Sequence, residues 1–164
     1  MFDVLTYVYE HFYIGDCGPE PDALASKLGT VGFEAEAVSA ALTWMRGLRT
    51  AANQLEEFSA NSAVPDAALC IRSAPSSIRI YPAFEQRHLG THGLGFLAFL
   101  ESSGDLPASL RELVIEQALA TPLRPLALED LKVIVLMVYW SVGFVPSALI
   151  LDELVSGCIQ RVLH

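Results

Sequence analysis

The sequence predicts an all-α protein of about seven or eight helices. They form two packed halves around a buried central helix, with one short extended or hairpin clip. Three observations lead there. Apolar residues recur at helical spacing through most of the chain, and that recurrence is the primary signal of an amphipathic helix. The densest clusters of glycine and proline fall between those stretches, where the strongest breakers of regular structure belong in a helical chain. The run Leu126 to Leu151, LALEDLKVIVLMVYWSVGFVPSALIL, is too apolar to lie on a surface, and a helix apolar all round is buried.

Each element follows in order. Phe2, Leu5, Tyr9 and Phe12, with Val4 and Val8 beside them, give an amphipathic helix over residues 2–13, with Asp3 and Glu10 on the wet side. Gly15, Gly18, Pro19 and Pro21 then hold a loop. Leu24 and Leu28 mark a short second helix ending near Gly29 to Gly32. From Glu34 to about Phe58, Val38, Ala41, Leu42, Met45, Ala52 and Leu55 form one stripe of a long third helix. Glu34 and Glu36 in its first turn suit the helix dipole. These helices could be a helix-turn-helix, but the carboxylates at the entering end would repel phosphates.

Ser59 to Asp66, SANSAVPD, is the best boundary signal and links an N-terminal half, residues 1–58, to a C-terminal half, residues 67–164. Two β-like pieces, Ala68 to Arg72 and Ser77 to Tyr81, read as the clip, with Ile78 and Ile80 alternating with Arg79 and Tyr81. Helices resume at Ala83 to Leu89, Leu94 to Ser102 and Pro107 to Thr121, closed by Pro122 and Pro125. The central helix, Leu128 to Trp140, comes next. After Pro146 a last helix carries Leu151, Leu154, Val155, Cys158 and Val162 as a stripe.

No residue from Val133 to Leu151 ionises, and a run of that length is a candidate membrane span. Ser141, Gly143, Pro146 and Ser147 interrupt it, so two helices and no membrane role are expected. The bend leaves Phe144, Val145, Leu149 and Ile150 in need of cover, either beneath the first helix or on a self-association face that would make a homodimer.

The net charge of −9 argues against nonspecific binding to nucleic acid or anionic lipid. Residues 1–58 hold nine acids and three bases, and residues 59–103 hold three of each, so the middle is free of net charge. Cys17, Cys70 and Cys158 are widely spaced, without a CxxC pair, and suggest buried thiols in a reducing compartment. The start, MFDVLTYVYEHF, has acids where a secretory signal needs bases. The cytoplasm is the expected location.

The segments MFDVLTYVYE, SIRIYPAFEQRHL, GFLAFLES, RELVIEQALA, LEDLKVIVLMV and the final Leu163-His164, taken in order over nearly the whole chain, resemble the bacterial Smg family. The resemblance implies a mostly helical cytoplasmic protein with no established activity, cofactor or catalytic residues, often encoded near DNA-processing genes. His88 departs from the arginine of an E-x-x-R-L pattern, and SVGFVPSALIL is more apolar than the family's usual connection.

The most specific polar feature is Arg72, Arg79 and Arg87 with His88 and His92, since no acid lies between Asp66 and Glu85. Arginine forks suit carboxylates or phosphates. The structural alternative pairs Arg79 with Glu85 or with the acidic N-terminal half. His88 and His92 have a metal-ligand spacing, but Gly90 lies between them and no HExxH motif is present, so no metal is expected. Lys132 reads as a snorkelling side chain rather than a catalytic amine. No nucleophile motif or phosphate loop stands in the sequence, so neither catalysis nor a cofactor is expected. The expected function is that of a non-enzymatic cytoplasmic protein-interaction module with an unidentified protein partner. Candidate partner-binding residues are Arg72, Arg79, Tyr81, Arg87, His88, Phe144 and Val145. The alternative is a nucleic-acid accessory protein acting through Arg72, Arg79 and Arg87.

Overall fold

The structure, a computed structural model, describes residues 1–12, 21–61, 79–122 and 125–162. Among these residues the regular structure is seven helices and no strand: α1 Phe2–Phe12, α2 Pro21–Val31, α3 Ala35–Asn61, α4 Ala83–Ser103, α5 Ala108–Leu119, α6 Leu128–Ser141 and α7 Ala148–Val162.

Helix α6 is the centre. Every residue from Asp130 to Tyr139 is buried, and α1, α3, α4, α5 and α7 all pack against it. The uncharged run of this helix from Val133 onward is thus explained by neighbours on all sides, each large apolar side chain contributing about 1.5–3 kcal/mol on burial. No helix among the described residues is long and apolar enough to cross a membrane.

The two halves share one core. From the first come Phe2, Leu5, Val8, Leu24, Leu28, Val38 and Leu48, and from the second Leu97, Leu113, Val114, Ile134, Ile150 and Leu154. The aromatic groups of α1 and α6 meet edge to face, with the Tyr9 and Trp140 ring centres 6.4 Å apart. Trp44, absent from the expected α3 stripe, is buried, and its indole N–H donates to the Gln117 carbonyl at 3.1 Å. That bond ties α3 to the end of α5.

Two boundaries differ from expectation. The α3 helix continues to Asn61, three residues beyond Phe58 and into the segment read as a linker. The pieces expected at Ala83 to Leu89 and Leu94 to Ser102 are one element bent at Gly90, whose φ of 67° and ψ of 173° are not helical. That left-handed backbone favours glycine, because a Cβ would clash with the chain. Most of the clip, residues 68–78, lies outside the described residues; residues 79–82 form a non-helical lead into α4.

The connection between α6 and α7 is anchored at both ends. The Phe144 N–H donates to the Tyr139 carbonyl at 2.9 Å, and the Ser147 N–H and hydroxyl donate to the Asp105 carboxylate at 2.7 and 3.1 Å. The backbone hydrogen bond from Ser147 holds the Asp105 carboxyl below its ordinary value. Tyr139 adds a bond from its hydroxyl to the Asp105 carbonyl at 2.7 Å.

Candidate functional site

Pro82 is extended, at φ −58° and ψ 155°, as the residue before a helix can be. The lead therefore brings Arg79 back alongside α4 and α5. Its Nη1 and Nη2 donate to Glu85 at 2.6 and 3.2 Å, while Nε and Nη2 donate to Glu112 at 2.7 and 2.8 Å. Both pairs are two-pronged, the strongest geometry a guanidinium offers a carboxylate. The guanidinium carbon also lies 4.4 Å from the centre of the Tyr81 ring, within range of a cation–π contact. Arg111 extends the network, donating from Nε to Glu112 at 2.9 Å and from Nη1 to Glu101.

The result is a ladder of five charges, Glu85, Arg79, Glu112, Arg111 and Glu101. Hydrogen bonds to Glu85 and then to Glu112 raise Arg79 above its ordinary value. Burial works to raise the Glu112 carboxyl, but hydrogen bonds from Arg79 and Arg111 outweigh it and hold the group below its ordinary value. Burial pushes the Tyr81 phenol up. The ladder closes on itself, and Arg79 keeps no open fork for a ligand.

The structure disperses the other arginine-segment candidates. Arg72 lies outside the described residues. Arg87 is exposed, its Nε donating to the Ala83 carbonyl of its own helix at 3.2 Å. His88 is 2% exposed, which corrects its placement on a binding surface. Its Nε2 lies 2.8 Å from the Ala118 carbonyl, and since a carbonyl only accepts, that nitrogen carries the proton. The His88 carbonyl accepts from the Leu126 N–H at 2.7 Å. His88 thus fastens α4 to the end of α5 and to the approach to α6. His92 is exposed, beyond the break at Gly90.

Arg79 and Tyr81 turn inward, while Ile80 is 85% exposed and Phe84, in the first turn of α4, is 53% exposed. Of the two expectations for Arg79, the pairing with Glu85 is the one present. Lys132 donates to Glu153 at 2.9 Å, with Glu129 at 3.5 Å. Burial works to lower this amine, but those carboxylates outweigh it and hold it above its ordinary value. Among the described residues no group of three or more His, Cys, Asp or Glu side chains is placed to hold a metal ion.

At the α6–α7 connection, the four side chains expected to need cover divide. Phe144 is half-buried with its ring centre 5.0 Å from that of Tyr139, and Ile150 is in the core. Val145 and Leu149 stand 79% and 77% exposed.

A second feature was not anticipated. A cleft of about 690 Å³ lies between α3 and the end of α5, lined by Glu36, Ala40, Trp44, Gly47, Glu116 and Ala120 among others. Its sequence signal is a run of short side chains, Ser39, Ala40, Thr43 and Gly47, on one side of α3.

A family model described as "Protein of unknown function (DUF494)" matches residues 1–164. The chain is similar to the Protein Smg homolog of Methylibium petroleiphilum, 46% identical over 164 residues and the whole of both chains. It is also similar to those of Leptothrix cholodnii, 44% identical over 164 residues, and Bordetella petrii, 42% identical over 165, again across both whole chains. No solved structure matches the chain.

Proposed function

The chain belongs to the DUF494 family of Smg homologues, and from that premise we propose a non-enzymatic cytoplasmic protein-interaction module that docks its partner through the α6–α7 connection. One observation carries this reading. Val145 is bare on the connection and Leu149 bare in the first turn of α7, among neighbours that are held in place, Phe144 against Tyr139, Ser147 on Asp105 and Ile150 in the core. An ordered apolar pair offers a partner contact area with little ordering entropy to lose, and exposed apolar patches mark contact sites.

The polar groups favour the same reading. Arg79, Arg111 and Lys132 are neutralised by carboxylates of the same chain, which leaves none of them as an open cation for substrate or phosphate. The nucleic-acid alternative retains Arg87 and Arg72 alone of its three arginines, on a chain of net charge −9. The cytoplasmic placement rests on the three widely spaced cysteines.

A photo-crosslinking residue placed in turn at Val145, Leu149 and the exposed α4 position Ser102 tests the proposal in growing bacteria. Discrete protein adducts at 145 and 149, absent at 102, are expected. An adduct of twice the chain's mass makes the partner a second copy. Absence of adducts at both sites, or the same adducts at all three, overturns the reading.

A further inference from the structure

We propose that Asp105, in the turn between α4 and α5, is the positioning residue of the α6–α7 docking surface: its carboxylate sets the shape in which Val145 and Leu149 meet a partner. The proposal rests on the interaction reading and adds the residue that controls the same surface.

The chain from α6 to α7 is fixed in two stages. The first is local. Gly143 is left-handed, at φ 64°, and its N–H donates to the Trp140 carbonyl at 3.3 Å while the Phe144 N–H donates to the Tyr139 carbonyl at 2.9 Å. With the Phe144 ring against Tyr139, this is the hydrogen-bond pair and apolar contact that close a helix at a left-handed glycine. It fixes the chain as far as Phe144.

The second stage comes from another element. Ser147 precedes α7, two residues from Val145 and two from Leu149. Its N–H donates to Oδ1 of Asp105 at 2.7 Å and its hydroxyl to Oδ2 at 3.1 Å, so both oxygens of one carboxylate hold one residue. Bonds to an ionised acceptor are the strong ones. Two prongs fix orientation as well as distance. Pro146 and Ile150 are buried beneath, which leaves Val145 and Leu149 to face outward.

Asp105 can act this way because it is itself held. After the left-handed Gly104, the N–H groups of Asp105 and Leu106 both donate to the Leu100 carbonyl at 3.1 Å. The hydroxyl of Tyr139, 2% exposed, donates to the Asp105 carbonyl at 2.7 Å. Tyr139 therefore joins the two stages, holding Phe144 by ring and carbonyl and Asp105 by hydroxyl. Glu85, Glu101, Glu112 and Glu153 pair with arginine or lysine, whereas Asp105 is used on Ser147. A surface ordered in advance loses less entropy when a partner docks.

The test places the photo-crosslinking residue at Leu149 of the full chain in growing bacteria and varies Asp105. Asp105→Ala should lower the yield of protein adduct roughly tenfold. Asp105→Asn keeps an oxygen for the Ser147 N–H and should retain at least about half the yield. Ser147→Ala removes one prong at an exposed position and should lower the yield about threefold. Val38→Ala, a destabilising change in the core face of α3, should leave it within about twofold. Hydrogen exchange of the purified chain reads the same latch without a partner: the Ser147 amide should exchange at least about tenfold faster in Asp105→Ala than in Asp105→Asn. Full yield in Asp105→Ala or Ser147→Ala, equal losses in Asp105→Ala, Asp105→Asn and Val38→Ala, or unchanged exchange at Ser147 overturn the proposal and leave the interaction reading standing. Absence of adducts with the native chain at both 145 and 149 overturns that reading, and the role of Asp105 in docking with it.

Discussion

At the scale of single residues, Arg79 decides how the middle of the chain is understood. Removing it strands Glu85, whose side chain is 9% exposed, and an orphaned buried acceptor costs about 1–3 kcal/mol. Urea denaturation of Arg79→Met should show that loss, while Arg87→Met, at an exposed position, should stay within about 0.5 kcal/mol. Equal effects would contradict the ladder. The ladder also sets a pH dependence. Because Glu112 is held below its ordinary value, its contribution is present above the unfolded pKa of about 4.3 and disappears as pH falls through the lower folded value. Stability should drop with acidification below about pH 5, and Arg79→Met should flatten part of that drop in urea midpoints taken across pH. Gly90→Ala should destabilise by about 1–3 kcal/mol, since only glycine adopts its backbone angles without strain. The alternation of Ile78 and Ile80 with Arg79 and Tyr81 was legible as two faces. The pairing of Arg79 with Glu85, six residues on, was legible too, whereas its second partner Glu112, 33 residues away, was not.

At the scale of elements, the helices were legible because glycine and proline punctuate the chain where the helices stop. The bend in α4 was visible as the gap between the helices expected at Ala83 to Leu89 and Leu94 to Ser102, although the structure keeps its two arms in one element. The role of Trp44 was not legible: its partner is a backbone carbonyl on α5, and no pattern within α3 points there. Helix α6 and the connection after it are both apolar in sequence, yet they differ in surroundings. Leu136→Ala should cost about 2–5 kcal/mol, whereas Val145→Asp should move stability by no more than about 0.5 kcal/mol. Chemical denaturation of the two variants checks the contrast, and a large loss at Val145 would mean that its side chain is covered.

At the scale of the whole molecule, the halves assigned to residues 1–58 and 67–164 meet in one core, with α1 and α3 packed on α6 and α3 on α5. A shared core unfolds as a unit. Calorimetry should therefore give a single transition with equal calorimetric and van't Hoff enthalpies, and two resolved transitions would contradict it. The basic groups Arg79, Arg111 and Lys132 are paired with carboxylates of the same chain, while the bare apolar pair faces outward. That division favours partner docking over chemistry as the work of the surface. Affinity capture from cells, quantified by mass spectrometry, tests this most directly by comparing the native chain with the double variant Val145→Asp, Leu149→Asp at matched expression and Tm. The account predicts a partner enriched with the native chain and reduced at least about tenfold with the double variant; equal recovery of every protein with both chains would contradict it.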